Sequence, residues 1–208
     1  MQSLFQEYSR AGLTYKSDRD TAILSLLNRI SDELDIEVRY GIIRCFLGSL
    51  LLWKRSAKEL TPPINFGQRA VPSWSWMAYD GSIEFIIMYQ YELRIPRETD
   101  LGFAPDGKEL NVKVRRFENC QLGKVKRSGG YSVCDGDKKI GTLWLDMKDH
   151  IEFKHCVVVG AGDRRPGEKK HYVLIVQEES GGERCKRLGA GILDDGYVSL
   201  ESKSGRLV

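Results

Sequence analysis

Near its start the chain carries apolar residues at the three- and four-residue spacing of an amphipathic helix. This spacing predicts a helix with one buried stripe, which comprises Ala22, Ile23, Leu26, Leu27, Ile30 and Leu34. Ser17, with Asp20 three residues later, predicts the start of this helix. A second apolar run, Tyr40 to Trp53, has apolar residues on more than one face and predicts a buried helix. Its 14 residues are too few for a membrane span, which needs roughly 20.

After Pro62 and Pro63 the pattern changes to that of strands. Proline lacks an amide donor and favours extended backbone before it, so the helical region ends here. Alternating or β-branched stretches then predict strands over residues 83–95, 110–117, 141–147, 151–159, 172–176 and 184–192. Asp–Gly and Gly–Gly pairs supply turns between strands, and the last two stretches predict a hairpin.

This order of elements predicts an α+β fold. We expect N-terminal helices packed on an antiparallel β-rich barrel or sandwich of about seven or eight strands. Residues 1–60 form the helical segment and residues 61–208 form the β-rich barrel or sandwich. The two parts are expected to make one compact unit, because a chain of 208 residues is long enough to bury one substantial core.

Composition narrows the class of protein. Apolar residues make up 41% of the chain and charged residues 29%, which is the usage of ordinary soluble domains. The 32 basic and 29 acidic residues give a net charge of +3. A dedicated nucleic-acid-binding protein usually carries a stronger positive charge on one face. A nucleic-acid partner is therefore not expected.

Cysteine usage predicts a reducing compartment. The five cysteines are odd in number, and the closest two are 14 positions apart. This spacing matches neither a disulfide framework nor a paired-cysteine zinc site. The first residues lack the basic and apolar segments of a secretory signal. We expect a cytoplasmic protein without a membrane partner, and the sequence leaves its oligomeric state open.

The stretch Pro72, Ser73, Trp74, Ser75 and Trp76 is the most unusual in the chain. In an extended conformation both indoles would lie on one face, since side chains alternate along a strand. Two indoles on one face form either a platform for a ligand or the centre of a core, because aromatic side chains bury large areas. The core interpretation is favoured.

Several segments together resemble a known family. They are residues 8–14 (YSRAGLT), 18–20 (DRD), 40–53 ending in LLLW, 72–76 (PSWSW), 80–81 (DG), 141–146 (GTLWLD), 172–176 (YVLIV) and 187–189 (RLG). In this order they are similar to the region downstream of the HET domain in fungal heterokaryon-incompatibility proteins. The similarity runs from about residue 5 to about residue 195, and the PSWSW motif is its most specific part.

The resemblance implies a function in nonself recognition, without catalysis. The HET domain, which in the family is associated with triggering cell death, has no counterpart in these 208 residues. None of its functional residues is therefore carried over. The resemblance implies a non-catalytic interaction or regulatory module whose partner is another protein or an upstream HET domain.

An alternative is a small-molecule-binding β-barrel protein or an enzyme with a site near Trp74 and Trp76. Barrels often hold ligands at their mouths. This alternative adds Tyr89 and Tyr91 to the site, with His150 or His171 as the polar partner.

Other residues with reactive side chains give no recognisable site. His150, His155, Cys156 and Asp146 are close in sequence, but His155 and Cys156 are neighbours that point to opposite faces of a strand. Cys156 precedes a run of valines, which is typical of a buried, inert thiol. We therefore predict no catalytic residue, no cofactor and no metal.

Basic residues are concentrated between Lys108 and Lys139, with nine bases against four acids. A possible interaction patch comprises Lys113, Arg115, Arg116, Lys124, Lys126 and Arg127. Such an excess attracts phosphates or an acidic partner. Outward lysines on strands also prevent edge-to-edge association, and that interpretation is favoured.

Overall fold

A computed structural model describes residues 1–56, 60–87, 93–96, 99–125, 129–147, 153–163 and 168–208. The helices are α1 (Gln2–Arg10), α2 (Arg19–Ala22), α3 (Leu24–Leu34) and α4 (Leu47–Leu51). The short strands of the first half are β1 (Val38–Arg39), β2 (Ile42–Ile43), β3 (Trp53–Arg55), β4 (Ile83–Phe85) and β5 (Gly102–Phe103). The longer strands are β6 (Leu110–Arg116), β7 (Gln121–Val125), β8 (Tyr131–Asp135), β9 (Lys138–Leu145), β10 (His155–Asp163), β11 (Lys169–Glu178), β12 (Arg184–Asp194) and β13 (Lys203–Leu207).

Five strands close into a barrel. β11 pairs with β10, β10 with β6, β6 with β13 and β13 with β12, and the ring closes because β12 also pairs with β11. All these pairs are antiparallel except β12 with β13, which is parallel. From β12 the sheet continues outward through β9, β8 and β7. The predicted α+β class, with N-terminal helices and a β-rich barrel, is confirmed.

Two barrel strands, β10 and β11, are buried on both faces over their central residues. On β10, Val157 and Val159 belong to one apolar cluster, whereas Cys156 and Val158 belong to a second. The first cluster receives side chains from all five barrel strands and also from Phe5, Ile23 and the PSWSW motif. The second cluster lies between the barrel and the strands β8 and β9. The N-terminal segment and the barrel therefore share one core.

A close approach of two backbones requires glycine where β12 crosses β9. A Cβ atom built on Gly189 would lie 2.2 Å from the carbonyl oxygen of Trp144. Such a distance is far below van der Waals contact, so a side chain here would push the two strands apart.

The second predicted helix is wrong for most of its length. Residues Tyr40 to Trp53 contain β2, a short 3-10 helix and the five residues of α4, and end at β3. The local apolar run does not distinguish a buried helix from short buried strands.

The first predicted helix is present, but its stripe is only partly buried. Ile23 and Leu27 are buried, whereas Leu26 is 37% exposed and Leu34 is 53% exposed. Ser17 lies in a 3-10 helix before α2 and makes no side-chain cap. The helix ends at Asp35, which adopts a left-handed conformation with φ of 47°.

Candidate functional site

The indoles of the PSWSW motif lie in the core. Trp74 and Trp76 are both 0% exposed. The motif is not a strand: its backbone turns at Ser75 into a 3-10 helix, Trp76–Ala78. Both indoles therefore face the core although the chain does not alternate as an extended strand would.

The indole nitrogen of each motif tryptophan donates a hydrogen bond to a backbone carbonyl. Trp74 Nε1 donates to Lys108 at 3.3 Å, and Trp76 Nε1 donates to Gly41 at 3.2 Å. The third buried indole, that of Trp53, donates to the carbonyl of Trp74 at 3.0 Å. Buried N–H groups without acceptors are costly, so these bonds hold the motif against β3 and against the loops before β2 and β6.

Glycine is required beneath the second indole. Gly41 has a φ of 75°, and a Cβ atom there would lie 2.6 Å from Nε1 of Trp76. The ring of Trp76 also contacts Phe5 and Tyr8 of α1, with centroid distances of 5.4 Å and 5.9 Å. The motif thus joins the N-terminal helix to the rest of the fold.

The serines of the motif are structural as well. Ser75 Oγ donates to the carbonyl of Tyr40 at 2.8 Å and accepts from the amide of Met77 at 3.1 Å. Ser73 Oγ accepts from the amide of Arg187 at 2.9 Å and donates to the carbonyl of Val208. Neither hydroxyl has a histidine or carboxylate partner among the hydrogen bonds of the described residues, so neither is activated as a nucleophile.

A buried ion pair lies beside the motif. The guanidinium of Arg187 donates to the carboxylate of Asp146 at 2.9 Å and 3.4 Å, and both side chains are at most 1% exposed. The same guanidinium donates to the carbonyls of Leu51 at 2.6 Å and Trp53 at 2.5 Å. It lies 3.4 Å from the ring centroid of Trp53. One side chain therefore connects α4, β3, β9 and β12.

Burial shifts the pKa of both partners. Desolvation raises the pKa of Asp146, and the charge and hydrogen bonds of Arg187 oppose this rise. Desolvation lowers the pKa of Arg187, against the effect of Asp146. Asp146 is close to His155 and Cys156 in sequence, but its carboxylate pairs with Arg187.

Arg55 forms a second buried hub. Its guanidinium donates to the carbonyls of Thr61, Asp146 and Asp80 at 2.7 Å, 2.9 Å and 2.9 Å. Desolvation lowers its pKa, while Asp146 raises it. Sequence analysis missed both Arg55 and Arg187 as buried residues, because no local pattern indicates that an arginine will lie in a core.

A cleft borders the motif at Pro72 and Ser73, and neither indole lines it. It has a volume of about 580 Å³. We call it the Ser73 cleft; its apolar lining includes Pro63, Val71, Pro72, Met147, Leu188 and Val208. Ser73 and the Arg187–Asp146 pair also line it, and the cations Lys108, Arg184 and Lys186 add to its wall. Of the predicted motif residues, Pro72 and Ser73 reach this cleft.

The predicted basic patch is divided between separate strands. Lys113 and Arg115 lie on β6, where Lys113 Nζ donates to Ser204 Oγ at 2.8 Å. Arg115 donates to the carbonyl of Ser199 at 3.0 Å. Arg116 is exposed at the end of β6. Lys124 lies on β7, and the strand order places β13, β12, β9 and β8 between these two strands. The remaining two, Lys126 and Arg127, lie outside the described residues.

The histidines and cysteines are dispersed. His155 Nε2 lies 3.7 Å from Glu178, whereas the neighbouring Cys156 is buried and desolvation raises its pKa. His171 Nε2 lies 3.5 Å from Asp195. His150, Tyr89 and Tyr91 lie outside the described residues. In the part of the chain that the structure describes, no group of three or more metal-ligating side chains occurs.

Within the same described ranges, no helix is both long enough and apolar enough to cross a bilayer. Comparison of the chain with protein-family models, with curated proteins and with solved structures finds no match.

Proposed function

We propose that this chain is a non-catalytic interaction module of the kind found downstream of the HET domain in fungal heterokaryon-incompatibility proteins. The observation that carries the proposal is the complete burial of Trp74 and Trp76. The PSWSW motif, the most specific part of the resemblance, builds a scaffold, because its indole nitrogens and serine hydroxyls are hydrogen-bonded to backbone groups. A ligand platform would need at least one open indole face.

An exposed apolar stripe on α3 supplies the surface that such a module needs. Leu26, Ile30 and Leu34 follow one another at four-residue spacing on this helix, and Leu26 and Leu34 remain 37% and 53% exposed. Apolar side chains on one helix face are typical of a surface that packs against a partner. We assign the HET domain as that partner, covalently attached or as a separate chain.

The test is association with a HET domain encoded in the same genome, produced as a separate chain and titrated calorimetrically. We expect one-to-one binding that the double substitution Leu26→Ser and Leu34→Ser weakens by roughly tenfold or more, as for truncation of a central apolar contact. Leu200→Ser is the matched control, because Leu200 is 90% exposed and is not part of α3. Absence of binding, or equal loss in the control, refutes the proposal.

The alternative of a small-molecule-binding barrel has one observation in its favour, the Ser73 cleft. All five barrel strands contribute buried side chains to the first apolar cluster, so this alternative places the ligand in the cleft. An enzyme would also need an activated nucleophile or an acid–base pair in this cleft. The carboxylate of Asp146 is fully occupied by Arg187, so binding without catalysis is the form of the alternative that we retain.

A further inference from the structure

We propose that the Ser73 cleft binds a small amphipathic anion, with an apolar body on the cleft floor and one acidic group at its mouth. The proposal goes beyond a protein-interaction function and does not depend on it. It rests on the juxtaposition of an apolar concavity with three exposed cationic side chains.

The size and floor of the cleft fit the apolar body. Ligand pockets usually measure about 300–1,000 Å³ and are lined mainly by apolar side chains with a few polar groups. The cleft, at about 580 Å³, lies inside this range. Met147, Leu188, Pro63, Val71 and Pro72 supply its apolar lining. A flat aromatic ring or a short alkyl chain suits such a floor.

The charges at the mouth favour an anion. Lys108, Arg184 and Lys186 are exposed residues of the lining, and the side-chain carboxylates of the lining are those of Glu109 and the buried Asp146. Arg184 pairs with Glu109, and Lys186 Nζ lies 2.7 Å from Glu179. Among the described residues Lys108 makes no ion pair, so its ammonium is the cation that remains available for a ligand's acidic group.

The backbone that carries Lys108 is held in place. Its carbonyl accepts from Nε1 of Trp74, and its amide donates to Oδ1 of Asp106 at 3.0 Å. On the opposite wall, Ser73 binds both the amide of Arg187 and the carbonyl of Val208. A preformed cleft loses little conformational entropy on binding, which increases affinity.

The experiment uses two fluorescent probes with similar aromatic bodies. One is 8-anilinonaphthalene-1-sulfonate, which carries an anionic group, and the other is N-phenyl-1-naphthylamine, which carries none. Each is titrated into the folded chain. We expect a single site that binds the sulfonate more tightly, and Lys108→Gln should weaken sulfonate binding by roughly two- to fivefold, the usual effect of one exposed charge. Binding of the neutral probe should be unchanged.

Two further variants locate the site. Ala70→Trp places an indole at an exposed position of the lining and should abolish binding of both probes. Lys138→Gln removes an exposed lysine at the start of β9, which does not line the cleft, and should change neither titration. Binding that persists in Ala70→Trp, or that responds equally to both lysine variants, overturns the proposal. A negative result for probe binding at the Ser73 cleft would not affect the proposed association with a HET domain, because that association is tested by substitutions on α3.

Discussion

Removing the guanidinium of Arg187 should destabilise the fold more than any surface substitution. The change Arg187→Met keeps most of the side-chain volume but leaves the carboxylate of Asp146 buried without its partner. It also leaves the carbonyls of Leu51 and Trp53 without the donors that lie 2.6 Å and 2.5 Å from them. Removal of one member of a buried pair typically costs 3–5 kcal/mol, so we expect a loss of about 4 kcal/mol in the free energy of unfolding.

Urea unfolding followed by tryptophan fluorescence measures this loss. With a slope of about 2–3 kcal/mol per molar urea, the midpoint should fall by about 1.3–2 M. Arg116→Met is the matched control, since Arg116 is exposed, and its cost should stay within about 0.5 kcal/mol. A cost below about 1 kcal/mol for Arg187→Met would refute the reasoning.

A double-mutant cycle separates the ion pair from simple packing. Asp146→Asn alone leaves the cation of Arg187 uncompensated and should also be costly. Combined with Arg187→Met it removes both charges, so the double variant should lose at least about 2 kcal/mol less than the two single losses added together. Additive costs would show that the two side chains act independently.

Three further outcomes are expected. Gly189→Ala should lower the free energy of unfolding, measured in urea, by about 1–3 kcal/mol because the added Cβ atom has no space. Gly12→Ala is the control and should leave the free energy of unfolding almost unchanged, because nothing lies within 4 Å of its added Cβ atom. Equal losses for the two variants would contradict the close approach of β12 and β9. Burial lowers the pKa of His171 below 6.5 in the folded chain. As the pH is lowered from about 7 to about 5, the unfolded chain therefore binds a proton at His171 more readily than the folded chain does, and the free energy of unfolding should decrease. His171→Gln should flatten this dependence, and an unchanged profile would argue against the burial effect. A thiol reagent at mildly alkaline pH should modify exposed Cys45 quickly and Cys156 only on unfolding, because burial raises the pKa of Cys156; rapid modification of Cys156 in the folded chain would indicate an activated thiol.

Much of the β-rich half could be predicted from local patterns. The stretches 110–117, 172–176 and 184–192 correspond to β6, β11 and β12, and the last two pair as the expected hairpin. These strands have 7 to 11 residues, which is long enough for a local pattern to be recognised. Short elements carry too few residues for a periodic signal. That is why Tyr40 to Trp53 resembled one helix, and why β13 was not predicted.

In the candidate site, the PSWSW motif could be predicted from the sequence, but the cleft beside it could not, for a different reason. The PSWSW motif is conspicuous because tryptophan is rare, and its assignment to the core agrees with the burial of both indoles. The cleft beside it depends on Lys108, Met147 and Leu188, which are distant in sequence. A residue pattern contains no information on which surfaces of separate strands become neighbours.

The sequence by itself determined the α+β class, several long strands of the second half, and the aromatic motif at the centre of the fold. The tertiary structure decided the barrel closure, the Ser73 cleft and the pairing of Arg187 with Asp146, Leu51 and Trp53 across separations of 41, 136 and 134 positions. The physical reason is that periodicity and turn chemistry act over a few residues. Burial of a charged side chain is favourable only when acceptors from several distant segments meet around it.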